Sequence, residues 1–243
     1  MITTERIEIP APIARQISRA LRERIIRNDL VPDQKISESE IARQYGISRQ
    51  PVREAFIRLA ADGLVAILPQ RGTRIRRIDT GAVREARFVR EAVESDIVRL
   101  LAEAPERIDL ADLEDQLIAQ ERIADSDPVA FIAADEAFHR TLAEAAGKAG
   151  IWRRVQSLKA QMDRVRFLSL GQFPTAKLIA QHRAVVAAIG AGDPPRAEAA
   201  MRTHLREVLR DLPQIVRANP GSFDTAAGGG MDRVVTIRGG DTT

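Results

Sequence analysis

From Asp79 onward, almost every stretch of this chain repeats its apolar residues at helical spacing, and only a few residues of Gly, Pro and Asp separate one stretch from the next. The pattern predicts helices near 80–102, 107–125, 128–146, 149–170, 174–191 and 194–216. The breaks fall at Ala104-Pro105, Ser126-Asp127-Pro128, Gly147, Gly171 to Pro174, and Gly190 to Pro195. Asp127-Pro128 and Asp193-Pro194 read as helix starts. The Asp side chain accepts from orphan N–H groups, and a proline in the first turn gives up no helical hydrogen bond. Long helices joined by short connections return antiparallel, so an all-helical antiparallel bundle is expected. Leu100, Leu101, Leu110, Leu113, Leu117 and Ile118 are its expected core, and the lone Trp152 is expected to pack rather than to stack on a ligand.

The first 78 residues are of a different kind. They carry 15 basic against 9 acidic side chains, whereas the remainder carries 22 against 25. A basic head on a slightly acidic body fits a polyanion partner for the head alone, although a solvated basic face has the same composition. Ile13, Ile17, Leu21, Ile25 and Ile26 mark an amphipathic helix over 11–28. Ser37 with Glu40 has the form of a capping box opening a helix near 38–45, which stops at Tyr45-Gly46. Ser48 can cap a third helix through Val52, Ala55, Phe56, Leu59 and Ala60, ending at Asp62-Gly63. Two short helices around a Gly-containing turn form a helix-turn-helix. Leu64 to Leu68, a turn at Pro69-Gln70-Arg71-Gly72, and Thr73 to Arg76 then predict a two-stranded wing.

On that wing and helix, Ser48, Arg49, Gln50 and Arg53 face outward from the start of the third helix. Arg49 suits the guanine edge, Arg53 and Ser48 suit phosphate or base, and Arg71 beside Gly72 suits a minor groove. The run from Leu30-Val31-Pro32 through Ser37-Glu38, Ile41-Ala42, Gly46 to Ala55, Leu59 and Asp62 to Val65, ending at Arg71-Gly72, resembles the winged helix of GntR-family transcription regulators. The resemblance implies that Arg49, Gln50, Arg53 and Arg71-Gly72 lie at a double-stranded DNA interface and that Pro51 stands at the opening of the recognition helix.

Other absences narrow the expectations. The chain has no cysteine, so neither a disulfide framework nor a thiolate metal site is available. Met1 to Pro10 lacks the apolar region of a signal peptide, and no apolar run approaches a membrane span. A cytoplasmic location is expected.

All three histidines of the chain fit one metal site. Asp135 and His139 are i and i+4 on one helix face, and His182 and His204 sit in other helical segments that a bundle can bring to the same point. Imidazole nitrogen with carboxylate oxygen suits borderline divalent ions. Spacing alone equally allows three ordinary core or surface histidines, and Arg90 with Glu94 reads as a surface i, i+4 ion pair.

The bundle segments resemble the FCD effector-binding domain of the FadR-type branch of the same family. They do so through Asp135 to Arg140, Gln181 to Val185, Gly192-Asp193 and Ala199 to Leu205. The resemblance implies a divalent metal held by Asp135, His139, His182 and His204; zinc is favoured, and nickel, cobalt, manganese or iron accept the same donors. It also implies that Arg90 faces a cavity for a small carboxylic acid, and that Lys148 stands where such chains commonly carry asparagine. The expected domains are a mainly α winged helix-turn-helix at 1–78, an all-helical FCD domain at 79–218, and a disordered tail at 219–243 with at most a stray strand at Val234 to Ile237. A homodimer on a pseudo-palindromic operator is expected, with repression relieved by the effector and no enzyme activity. Rival readings are a metal sensor without an organic effector, a structural ion, and a metalloenzyme using Asp115, Glu121 or Glu136 as base.

Overall fold

A computed structural model describes residues 12–124, 126–170 and 175–224. The expected turn at 171–174 and the stray strand at 234–237 lie outside the described residues. In the head, α1 (Ile13–Ile26) lays Ile17, Leu21 and Ile25 against Val52, Ala55, Phe56 and Leu59 of α3 (Arg49–Ala61). Between them, α2 (Glu38–Tyr45) starts where Ser37 Oγ accepts from the Glu40 N–H at 3.4 Å, and it stops at Gly46, whose φ of +64° suits a residue without Cβ. Ser48 precedes α3 in extended conformation, but its hydroxyl makes no capping bond. Pro51 sits in the first turn of α3, as expected.

The wing has three strands rather than two. β2 (Val65–Leu68) and β3 (Gly72–Ile75) form the expected hairpin, with Val65 opposite Ile75 and Leu68 opposite Gly72. β1 (Lys35–Ile36) adds an antiparallel edge on the other side of β3. Two residues are too short for a period-two pattern, so nothing in the sequence marked β1 as a strand.

The bundle comprises α4 (Thr80–Glu103), α5 (Leu110–Ile123), α6 (Pro128–Ala145), α7 (Ala149–Leu158), α8 (Ala160–Leu170), α9 (Thr175–Gly190) and α10 (Pro194–Ala218). Asp79, Asp109, Asp127 and Asp193 each cap a helix through a carboxylate oxygen. Leu101, Leu113 and Leu117 are fully buried beside Phe138, Leu142 and Trp152, while Leu100, Leu110 and Ile118 are half-buried at the edge. The segment 149–170 is two helices rather than one. The break falls at Lys159, whose buried ammonium pairs with Glu136 at 3.1 Å and Asp163 at 2.5 Å. Helical periodicity runs straight through such a break, because nothing in the spacing of apolar residues reports a buried charge.

The two large apolar clusters fall on either side of residue 78, except that Ala160 of α8 packs into the head. α8 also donates from Gln161 Nε2 to the Gly63 carbonyl (2.6 Å) and from Arg164 Nη1 to the Arg76 carbonyl (2.8 Å). A third cluster joins Ile78, Val83, Met162, Val165, Leu212, Ile215 and Phe223. Residues 220–224 are therefore ordered, contrary to the tail expected from 219; Gly and Pro composition does not register one well-placed phenylalanine. The rest of that tail, 225–243, lies outside the described residues. Among the described residues, no helix is long and apolar enough to cross a membrane.

Candidate metal centre and DNA-reading surface

Asp135 and His139 on α6, His182 on α9 and His204 on α10 converge in the bundle, all buried, with potential ligand atoms within 4.8 Å of one another. His204 Nε2 lies 3.2 Å from both His139 Nε2 and His182 Nε2. Asp135 offers Oδ1 at 3.5 Å from His182 Nε2 and Oδ2 at 3.8 Å from His139 Nε2.

The outer faces of the three rings decide where their protons sit. His139 Nδ1 is 2.6 Å from Glu94 Oε2, and a carboxylate only accepts. His182 Nδ1 is 3.0 Å from Gln120 Oε1, and Gln120 is oriented by donating Nε2 to the Ala134 carbonyl at 3.3 Å. His204 Nδ1 is 3.2 Å from Gln181 Oε1, and Gln181 donates Nε2 to Glu207 at 3.0 Å. The oxygens of Gln120 and Gln181 can accept only from Nδ1–H, and Glu94 stands close to His139 Nδ1 although out of hydrogen-bond alignment, so the tautomer these neighbours favour turns three Nε2 lone pairs toward one another. Neutral rings in that tautomer have no hydrogen to share among them, so the arrangement suits a Lewis acid at their meeting point. Both Asp135 oxygens are buried with no donor in hydrogen-bond alignment, although Arg166 Nη2 approaches Oδ1 to 2.5 Å. Three imidazole nitrogens and one carboxylate oxygen are a donor set for a borderline divalent cation.

The electrostatics favour the neutral forms of His182 and His204 and the charged forms of the carboxylates. Burial pushes His182 down to about 3, reinforced by His139, Arg166 and Arg90 against the pull of Asp135. His204 is lowered by burial and by the two neighbouring rings. Burial alone would raise Asp135, but the Arg166 guanidinium, the largest opposing influence, holds it well below the usual carboxylate range. Glu94 is likewise raised by burial, yet Arg90 and His139 bring it down to about 2.

A cavity of about 140 Å³ opens beside the cluster, lined by Arg90, Met162, Arg166, Lys177, His204 and Ile215 among others. Arg90 is paired with Glu94 (Nε to Oε1, 2.6 Å), but the pair is buried and not at the surface. Its guanidinium thus serves both readings, as an ion pair and as a lining of the cavity. Lys148 is exposed at the start of α7 and lines a separate surface groove instead.

In the head, Ser48, Arg49, Gln50 and Arg53 are all exposed at the first turn of α3. Arg49 Nη2 rests on Glu38 at 3.2 Å and Gln50 Nε2 on Glu54 at 3.2 Å. Both are weak exposed contacts that a nucleic acid can displace. Arg71 and Gly72 are exposed at the wing, where Gly72 adopts a φ of +85°.

Residues 13–75 match the gntR family of bacterial regulatory proteins, and residues 85–207 match the FCD domain. The chain belongs to the GntR family. This GntR regulator is 39% identical over 214 residues to an HTH-type transcriptional regulator from an unstable DNA locus of Streptomyces ambofaciens, covering 88% of this chain and 90% of that one. It is 36% identical over 217 residues to the HTH-type transcriptional repressor RspR of Escherichia coli K12, covering 87% and 94%. Among solved structures, E. coli McbR/YncC shares the fold at TM-score 0.70 and 18% identity, covering 84% of this chain and 98% of that one. A GntR transcriptional regulator of Rhodococcus sp. RHA1 has TM-score 0.63 and 26% identity over 84% and 98%. The two relatives are named as transcriptional regulators, not enzymes, and regulators of this family bind DNA operators.

Within this GntR regulator the structure brings Asp135, His139, His182 and His204 to one point and sets Arg90 at the adjoining cavity. The expected bases of an enzyme reading stand elsewhere. Asp115 is exposed, Glu121 pairs with Arg183 at an exposed site, and Glu136 is engaged by Lys159 and Gln156. Sequence reading missed Glu94, Gln120 and Gln181 behind the rings, and Arg166 and Lys177 at the cavity. Gln181 stands next to His182, and Glu94 was noted only as the partner of Arg90. Gln120, Arg166 and Lys177 carry no local signal.

Proposed function

We propose that this GntR-family regulator is a repressor whose bundle holds a divalent metal through Asp135, His139, His182 and His204 and senses a small carboxylic acid in the adjoining cavity. The observation that carries the reading is the convergence of three buried Nε2 atoms and the Asp135 carboxylate, with Gln120 and Gln181 oxygens on the Nδ1 atoms of His182 and His204 and Glu94 2.6 Å from that of His139. When bound, the ion supplies positive charge and an open coordination position for a carboxylate oxygen. Zinc suits the donors, and nickel, cobalt, manganese or iron accept them too.

The residues around the cavity do the rest. Arg90 and Lys177 offer cationic donors to a carboxylate, and the apolar wall of Met162 and Ile215 accepts a short carbon skeleton. A cavity of roughly 150 Å³ admits a six-carbon ring, so an acid of about that size fits. A carboxylate arriving at Arg90 competes with Glu94 for the same guanidinium, and Glu94 in turn holds His139. Effector binding thereby bears on the residues that orient the metal donors. Operator affinity changes only as far as the effector distinguishes two arrangements of the bundle.

At the DNA end, Ser48, Arg49, Gln50 and Arg53 read the major groove and Arg71-Gly72 reaches the backbone or minor groove. A cytoplasmic homodimer places two α3 helices on a pseudo-palindromic site. In this reading residues 1–78 are the reading head and 79–218 the sensor. The test is native mass spectrometry with elemental analysis of the purified full chain and of His182→Ala. One divalent ion per wild-type chain and less than about a tenth of that in the variant are expected, since removing one of four ligands opens the site. Equal metal content in the two proteins would sink the reading.

A further inference from the structure

The linker between reading head and bundle runs only from Arg76 to Asp79, between the end of β3 and the start of α4. Its third residue, Ile78, is held on both sides by the segment that follows α10. Ile78 donates its N–H to the Ser222 carbonyl at 2.8 Å, and Asp224 donates its N–H to the Ile78 carbonyl at 2.9 Å. The chain reaches this place by a tight turn, with the Ser222 N–H donating to the Asn219 carbonyl at 2.9 Å. Ile78 and Phe223 are each 1% exposed and share one apolar cluster with Met162, Val208 and Ile215. Those last three also line the cavity beside the histidine cluster. The same handful of side chains thus forms a wall of the cavity and the bed of the linker.

The FCD match ends at residue 207, so this clip lies beyond the residues that the domain match spans. Elsewhere the linker is pinned from the bundle side by Arg164 on the Arg76 carbonyl, and from the head side by Arg77 on Asp33 at 2.8 Å. Ile78 is the point at which the apolar contact and both backbone bonds coincide. A shift of Met162 or Ile215 at the cavity wall is transmitted to Phe223 and Ile78 because packed side chains leave no slack between them.

We propose that residues 220–224 are a latch that clips the linker to the cavity wall and so couples the sensor pocket to the orientation of the reading head. The coupling clause rests on the sensor reading given above; the latch itself does not. With the latch closed, Arg76 and Arg77 are withheld from proteolysis by their backbone, even though their side chains are exposed.

The test compares the full chain, a chain ending at Asp224, a chain ending at Asn219, and Phe223→Ala within the chain ending at Asp224. Hydrogen exchange of residues 76–80 and tryptic cleavage after Arg76 and Arg77 are followed by mass spectrometry. The first two proteins should behave alike. The other two should exchange and be cut at the linker at least about tenfold faster, with helix content and metal content retained. Should the shorter chain fail to fold, Phe223→Ala and the milder Phe223→Leu give the same comparison in a chain of full bundle length. Linker protection unchanged by loss of Phe223 overturns the latch.

Coupling is read by adding zinc or chelator to each protein. Chelation should alter linker exchange in the latched chains and leave it unaltered in the unlatched ones. No response in the latched chains, or an equal response in all, overturns the coupling. Failure of the sensor reading shows up separately, as full metal content in His182→Ala.

Discussion

Replacing Glu94 by Gln isolates the group that stands between the cavity arginine and the metal-facing imidazole. Glu94 is buried, with Oε1 on Arg90 and Oε2 on His139, each at 2.6 Å. Its carboxyl is brought from an ordinary 4.5 down to about 2, which corresponds to about 3 kcal/mol of stability that depends on its charge. Because the folded value is depressed, that contribution is present above pH 4.5 and is lost as the pH falls toward 2. Glu94→Gln also leaves the Arg90 guanidinium buried and uncompensated, and breaking such a pair costs about 3–5 kcal/mol. A loss of about 3–5 kcal/mol is therefore expected in denaturant unfolding with chelator present. Arg90→Met alone should cost a similar amount, whereas the double variant with Glu94→Leu should recover most of it, because no charge is left stranded. Metal affinity follows a different order. Glu94→Gln loses the charge behind His139 Nδ1 and leaves one neutral oxygen for two donors, and the double variant with Glu94→Leu loses the acceptor altogether; both should bind metal about 10–100-fold more weakly, while Arg90→Met should bind nearly as well as wild type. Competition with a chromophoric chelator measures this. A Glu94→Gln protein that unfolds at the wild-type denaturant concentration, with the same acid dependence, would refute the buried triad. Equal metal affinities in Arg90→Met and Glu94→Gln would refute the division of labour between the two carboxylate oxygens.

Two further outcomes follow from features outside that triad. Arg49→Ala should weaken specific operator binding by about 1–3 kcal/mol in a gel-shift titration with its effect concentrated at one base pair, whereas a uniform loss at every sequence would make Arg49 a phosphate contact. Lys159→Met removes the 2%-exposed ammonium between Glu136 and Asp163. It should cost about 3–5 kcal/mol, measured by urea unfolding near neutral pH; an unchanged midpoint would mean that the two carboxylates do not need this cation.

The residues that carried the sequence reading share one property, which is that their signal is local or periodic. Asp127-Pro128 announces a helix start through the chemistry of two neighbours. Ile17, Leu21 and Ile25 announce a buried face through spacing. Ser37 and Gly46 bracket α2 because caps are local bonds. Asp135 and His139 were readable as a pair because four residues make one helical turn. Convergence of His182 and His204 on that pair was a matter of tertiary packing, which spacing left open and family resemblance supplied. The polar residues behind and around the rings are a different case. Gln120 reaches His182 across 62 residues of sequence, and Arg166 reaches Asp135 across helices whose relative placement no local pattern encodes. Lys159 breaks a helix that the apolar spacing runs straight through. Phe223 orders a segment whose composition reads as a tail. In each case a single buried contact outweighs the average preference of its neighbourhood, because an unpaired charge or a lost aromatic contact in the interior costs several times what a residue's helical propensity contributes. Long-range contacts of this kind, polar behind the histidine cluster and apolar between cavity and linker, run through this regulator. The parts of the chain hardest to read from sequence are therefore the ones through which a signal would have to pass.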